Sequence, residues 1–186
     1  MRIAYFDIEC WDLSPAFGPL LCAAVLLLPE EKMVVLRQDK LVKAKKAEDM
    51  TDDKQLCTDL RDLLAERHLT CGYFSKGFDI CHVNSRLAQH GETQLLKSVL
   101  HLDPIWFFKG WRGIKGQSGK MKHMAEFFAM EPKPDVEPMV WMKARSGVKT
   151  AMDEVCERCE ADVRITRLLA EKALDLGLVR NISVYP

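Results

Sequence analysis

Asp7 and Glu9, one residue apart at the end of the apolar run Ile3-Ala4-Tyr5-Phe6-Asp7-Ile8-Glu9-Cys10, are the residues whose types and spacing most directly suggest chemistry. Residues 2–8 are rich in aromatic and branched apolar side chains and read as a strand. Side chains alternate along a strand, so the two carboxylates project from one face, about 7 Å apart in rise. Apolar residues on both parities, Tyr5 beside the acids and Phe6 and Ile8 opposite, mark a strand covered on both faces. Two ionised carboxylates are costly there unless a cation pairs with them. Oxygen-only donors favour Mg²⁺ or Mn²⁺ over zinc. A strand that stops at Phe6, leaving both acids in a solvated loop, is the competing reading of the pair alone.

Two further acids stand where elements could deliver them to the same place. Asp79 follows Gly72-Tyr73-Phe74-Ser75-Lys76-Gly77-Phe78 at a strand-to-helix junction, the kind of position at which α/β proteins assemble sites. An acid in the first turn of a helix is also an ordinary cap, and that reading stays open. Asp162 belongs to a stripe, Val155, Cys159, Asp162, Thr166, Leu169 and Ala173, that steps at helical spacing and faces inward. A lone acid on that stripe needs a partner: either Arg158, one turn back, or a metal ion.

The elements that must position these residues alternate in an α/β manner. Residues 2–8, 20–28 and 32–37 read as an antiparallel meander turned at Pro29-Glu30-Glu31. A helix over Lys54 to Arg67, with Thr51 and Asp52 as cap candidates, leads to a strand at about 69–74. A helix over Asp79 to Gln89, a strand near 100–103, a helix near 123–130, a proline-rich loop and a long helix over 150–176 complete the chain. With 186 residues, 48% of them hydrophobic, the expectation is a single domain over 1–186 with a five-stranded mixed sheet flanked by helices. The longest apolar run, Leu20 to Leu28, is too short to span a bilayer and does not follow a basic leader. Seven cysteines scattered through apolar segments read as reduced core residues, so a soluble cytoplasmic protein with no membrane partner is expected. Lys plus Arg and Asp plus Glu number 27 each, so any attraction for a polyanion must come from a local patch.

Such a patch lies at 106–122. Trp106, Phe107, Phe108 and Trp111 are interleaved with or followed by Lys109, Arg112, Lys115, Lys120 and Lys122, with no Asp or Glu from 109 to 122. Aromatic faces that stack bases, together with cations that track phosphates, are what single-strand binding requires. The bland alternative is core anchors beside a solvated basic face. Two other patterns are set aside: Gly113 to Lys120 misses P-loop spacing by one residue, and Cys156-Glu157-Arg158-Cys159 sits inside a helix with no second pair at zinc spacing.

With Tyr5-Phe6-Asp7-Ile8-Glu9, then Gly77-Phe78-Asp79-Ile80 with Ser85-Arg86-Leu87, then Cys159-Glu160-Ala161-Asp162-Val163, the chain resembles the DEDD 3′–5′ exonucleases of the ribonuclease H-like fold, the family of polymerase proofreading domains. Lys122-His123-Met124-Ala125-Glu126-Phe127-Phe128 is similar to the helix those enzymes place before the third motif. The resemblance implies that Asp7, Glu9 and Asp162 hold one Mg²⁺ or Mn²⁺, that Asp7 bridges to a second, and that Asp79 supports the second through water. It further implies hydrolysis of phosphodiester bonds at single-stranded DNA or RNA ends, with Phe78, Trp111, Arg112, Lys115, Lys120 and Lys122 as substrate contacts and a replication or repair protein as a possible partner. One departure stands out. The family carries a Tyr four residues, or a His five residues, before the last Asp, and here those positions are Arg158 and Glu157. Phe74 likewise stands where many relatives have a polar residue. Arginine cannot act as a base but can hold a phosphate, which makes Arg158 a candidate catalytic residue. Hydroxide would then come from the metals alone or through Glu157 or a loop histidine such as His82, and a catalytically silent nucleic-acid or partner-binding module on the same fold is the alternative function.

Overall fold

Strand β1 (Ile3–Cys10) is the centre from which the molecule is built. It pairs antiparallel with β2 (Leu20–Leu28), which pairs antiparallel with β3 (Lys32–Arg37), so the expected meander is present. On its other side β1 pairs in parallel with β4 (Leu69–Cys71), and β4 in parallel with β5 (Leu100–Leu102). A two-residue strand, β6 (Ser183–Val184), adds to β5 and extends the five-stranded mixed sheet to the order β3-β2-β1-β4-β5-β6. The computed structural model describes residues 1–44, 46–92, 100–109, 119–179 and 182–184.

The helices are α1 (Gln38–Leu41), α2 (Lys54–Ala65), α3 (Asp79–Gln89), α4 (Ile105–Phe108), α5 (Met121–Phe127), α6 (Pro138–Arg145) and α7 (Lys149–Asp175), with a 3₁₀ turn at Ala47–Thr51. The sequence expectation has no counterpart of α1, α4 or β6, and three further departures have evident causes. The strand after α2 stops at Cys71 because Gly72 to Phe78 turns instead of extending, and Phe74 in that turn adopts a positive φ of 59°. The stretch expected to be only a proline-rich loop contains α6, with Pro138 in its first turn, where its fixed φ and missing N–H fit a helix start. The cap expected at Thr51 or Asp52 of α2 is partly right: Asp52 Oδ1 accepts the Lys54 N–H at 3.3 Å, while Asp53 occupies the cap position and turns inward.

Alternation along β1 sorts its side chains into two layers. Ala4, Phe6 and Ile8 pack with Leu20, Ala23, Val25 and Leu27 of β2 against Leu56, Leu60 and Leu64 of α2 and Ile80, Val83 and Leu87 of α3. Tyr5 points the other way, into a core of Cys22, Ala24 and Leu26 with Val155, Cys156, Cys159 and Val163 of α7. Asp7 and Glu9 share the parity of Tyr5 and so face α7. The α7 stripe read from sequence is buried at all six positions, Val155, Cys159, Asp162, Thr166, Leu169 and Ala173. Both cysteines of the Cys-x-x-Cys are core residues, and the described cysteines are all free thiols. Among the described residues no helix is long and apolar enough to cross a membrane.

Candidate metal centre

The strand continues through both acids to Cys10, which overturns the reading of Asp7 and Glu9 as solvated loop residues. Asp7 pairs with Ala24 and Glu9 with Cys22, and the ladder is irregular only beyond Glu9. α7 crosses the face on which they lie. One carboxylate oxygen from each of Asp7, Glu9 and Asp162 falls within 4.8 Å of the others. Asp7 and Glu9 are half-buried and Asp162 is buried. The Cys159 thiol, one turn before Asp162, donates to the Asp7 main-chain oxygen at 3.4 Å and to its Oδ2 at 3.5 Å.

Asp79 arrives from the opposite layer. It is the first residue of α3, and its Oδ1 accepts the Ile8 N–H at 3.2 Å, so the start of α3 is tied to β1 between the two strand acids. It stands outside the three-carboxylate group and is buried next to Asp7. The electrostatics record the crowding. Burial, then the charges of Asp79, Glu9 and Asp162, hold the Asp7 carboxyl well above the ordinary carboxylate range. Burial pushes Glu9 up to about 7 against the pull of Arg158, and pushes Asp79 up to about 7 against its backbone hydrogen bonds.

Two cations enter this cluster, one away from the partner the sequence suggests and the other not anticipated by it. Arg158 does not pair with Asp162; its Nε donates to Glu9 Oε1 at 3.2 Å and its Nη1 to the Pro134 carbonyl at 3.2 Å. The partner of Asp162 is Lys133, whose Nζ lies 2.8 Å from Oδ2. Lys133 went unnoticed in the sequence because a lone lysine among prolines carries no periodic signal. The other oxygen, Asp162 Oδ1, is buried and has no hydrogen-bond partner among the described residues. A buried carboxylate oxygen left unsatisfied beside two more acids is a donor set that fits a hard divalent cation.

The alternative bases do not reach the cluster. Glu157 is exposed, and His82, which lies in α3 and not in a loop, is buried with Nε2 2.6 Å from the Gly18 carbonyl. Of the substrate candidates, Phe78 is half-buried with its ring tilted against His82 at 5.4 Å, while Lys120 and Lys122 are exposed at the start of α5. The aromatic stretch divides: Phe108 is a core residue and Trp106 is exposed. Trp111, Arg112 and Lys115 lie outside the described residues.

The loop that carries Asp79 into place is held from β5 by two residues that sequence reasoning missed. Asp103 accepts the Phe74 N–H at 2.8 Å and the Lys76 N–H at 3.2 Å. His101 is buried between Thr70 Oγ1 and Ser75 Oγ, 2.8 Å from each, and burial pushes it down to about 3, so it bridges the two hydroxyls as a neutral ring. Behind α3, Asp53 is fully buried and binds Arg86, His90 and the Leu20 N–H, which fixes α3 against α2 and β2. Their signal is only retrospective: polar residues at strand ends and on an apolar helix face.

A sequence model of the RNase H superfamily matches residues 4–174. No curated protein matches the chain. Among solved structures, the chain is similar to the family B DNA polymerase from the hyperthermophilic archaeon Pyrobaculum calidifontis, with a TM-score of 0.70 and 20% identity over 96% of this chain. That match covers 25% of the polymerase chain, and at this identity it establishes a shared fold.

Proposed function

The chain belongs to the RNase H superfamily, and on that premise we propose that it is a divalent-metal-dependent 3′–5′ exonuclease acting on single-stranded DNA or RNA ends. Membership in the superfamily supports nuclease chemistry in general. The observation that carries the finer reading is the convergence of Asp7, Glu9 and Asp162 within 4.8 Å, with Asp162 Oδ1 buried and unsatisfied. Asp7, Glu9 and Asp162 would hold one Mg²⁺ or Mn²⁺, and Asp79, adjoining Asp7 from α3, would support a second. Asp7, Glu9, Asp79 and Asp162 would hold ions there whose chemistry would be to lower the pKa of a water and offset the charge of the leaving 3′-oxygen.

The rest of the work falls to the chain's own residues. The Arg158 guanidinium offers a planar fork of donors and no acceptor, so its role is to hold a non-bridging phosphate oxygen. Lys133 neutralises Asp162 in the absence of an ion and turns its ammonium to the phosphate when one is present. Phe78 flanks Asp79, and Lys120 and Lys122 offer charge for the strand behind the terminus. The similarity to a DNA polymerase fits a replication setting, with a replication or repair protein as partner.

A second reading, a catalytically silent nucleic-acid-binding module, is favoured by the pairing of Glu9 with Arg158 and of Asp162 with Lys133, which gives two acids a cationic partner without any metal ion. Degradation of 5′-labelled and 3′-labelled single strands of DNA and RNA in Mg²⁺, Mn²⁺ or EDTA separates the two. The exonuclease yields a descending ladder from the 5′ label and an immediate mononucleotide from the 3′ label, both lost in EDTA. The silent module binds the strands and leaves them intact.

A further inference from the structure

Phe74 is an aromatic residue held where no core needs it. Its φ of 59° is in the left-handed region, unfavourable for a bulky side chain, and its side chain is 42% exposed. The turn is nevertheless fixed from three sides. Asp103 binds the N–H groups of Phe74 and Lys76, and the Phe74 carbonyl accepts the N–H groups of Gly77 at 2.9 Å and Phe78 at 3.1 Å. A Cβ on Gly77 would meet the Phe74 ring at 2.5 Å, so the ring lies directly against the glycine and a larger residue there would displace it. One side of the ring is thus backed by main chain, and the residue as a whole stays exposed.

That ring borders a cleft of about 540 Å³ lined by Tyr73, Phe74, Ile105, Lys109, Gly119, Lys120 and Met121. Tyr73 closes its floor with a hydrogen bond from its hydroxyl to the Gly119 carbonyl at 3.2 Å. Among the described residues the lining contains two lysines and no acid. The cleft and the carboxylate cluster share one loop, since Phe74 on the cleft is five residues before Asp79. A flat aromatic face beside two ammonium groups, one short loop from a cluster of acids, matches a planar base flanked by phosphates.

We propose that this cleft is a base-stacking subsite, in which Phe74 supports a nucleobase of the single strand just behind the terminal nucleotide and Lys109 and Lys120 meet the adjoining phosphates. The inference rests on the nucleic-acid reading above and adds Phe74 and Lys109 to it. Recognition through a ring face favours neither a particular base nor a particular sugar, so DNA and RNA strands of equal length bind with similar dependence on Phe74.

The test uses the full chain and fluorescein-labelled twelve-nucleotide single strands of DNA and RNA, with Ca²⁺ in place of Mg²⁺ to suppress turnover. Affinity is read by anisotropy for wild type, Phe74→Asn, which tolerates the same backbone, Phe74→Ala, and Phe74→Trp. The expected result is a loss of about tenfold in Phe74→Asn and Phe74→Ala, within the range for one stacked base, and retention in Phe74→Trp. An abasic residue walked along the last four positions should cost wild type a similar factor at one interior position and cost Phe74→Asn nothing further there. Unchanged affinity in folded Phe74→Asn, or an abasic penalty that persists in it, overturns the subsite even if the strand is hydrolysed in Mg²⁺. Phe74-dependent binding without hydrolysis in Mg²⁺ or Mn²⁺ upholds the subsite and overturns the exonuclease. A wild type that binds neither strand overturns both.

Discussion

Lys133 Nζ lies 2.8 Å from Asp162 Oδ2, so a lysine from the segment between α5 and α6 occupies one oxygen of an acid on the central stripe of α7. Arg158 draws the same segment in through the Pro134 carbonyl while it binds Glu9. The chain therefore supplies two positive charges of its own to a group of carboxylates in which burial and mutual repulsion drive Asp7 and Glu9 toward protonation. Those charges and a divalent ion compete for the same oxygens.

Replacing Lys133 by Met should tighten Mn²⁺ binding. Opposite unit charges about 4 Å apart interact by roughly 4 kcal/mol at an effective dielectric of 20, and release of the half-buried lysine to solvent offsets part of that. An affinity gain of about tenfold by titration calorimetry is expected. An unchanged or weaker affinity would show that Lys133 does not compete with the ion.

Arg158 should prove a phosphate-holding residue and not an obstacle. Arg158→Lys and Arg158→Tyr should each lower kcat/KM about tenfold or more, because the planar two-pronged contact is lost. If Arg158→Tyr raises turnover, the position calls for an acid–base group and the assignment is wrong.

Asp53 and Arg86 test what holds α3, and with it Asp79, in place. Their side chains meet at 2.6 Å and both are buried. Removing one partner strands the other, so Asp53→Asn or Arg86→Met should cost about 3–5 kcal/mol in urea unfolding. Replacing both should cost less than the sum of the two single changes. Additive losses would show that the pair acts as two separate residues.

Much of this was legible in the sequence, and the limits have physical causes. The parity of Tyr5, Asp7 and Glu9 placed the acids on one face, and the helical stripe around Asp162 placed its element opposite, because periodicity reports which face is covered. Partners across space leave no such trace: nothing local to Lys133, His101 or Asp103 announces which residue it will meet. The helix at Pro138 was hidden because prolines mark helix starts and loops alike. Phe74 was visible as a departure from the family pattern, but its left-handed backbone depends on Asp103 and Gly77, which only the folded loop brings to it.

Acid should loosen the loop that His101 holds. Burial pushes His101 down to about 3, whereas in the unfolded chain it titrates near about 6.5. Between those values the unfolded state carries the proton that the folded state refuses. The contribution is complete above about pH 6.5 and is lost progressively as pH falls toward 3. By pH 4.5 the loss should approach about 2–3 kcal/mol, read as a falling melting temperature. His101→Gln, which hydrogen-bonds without titrating, should show a shallower fall between pH 7 and 4.5. Parallel curves would remove His101 from the account.

The measurement that bears most directly on the carboxylate cluster is the time course of 5′-labelled single-strand degradation by wild type and Asp7→Ala in Mn²⁺, with circular dichroism to establish that both are folded. The account predicts stepwise shortening from the 3′ end by wild type, arrest of that shortening in EDTA, and a folded Asp7→Ala that leaves the strand intact. Shortening by Asp7→Ala at the wild-type rate, or by wild type in EDTA, would contradict it.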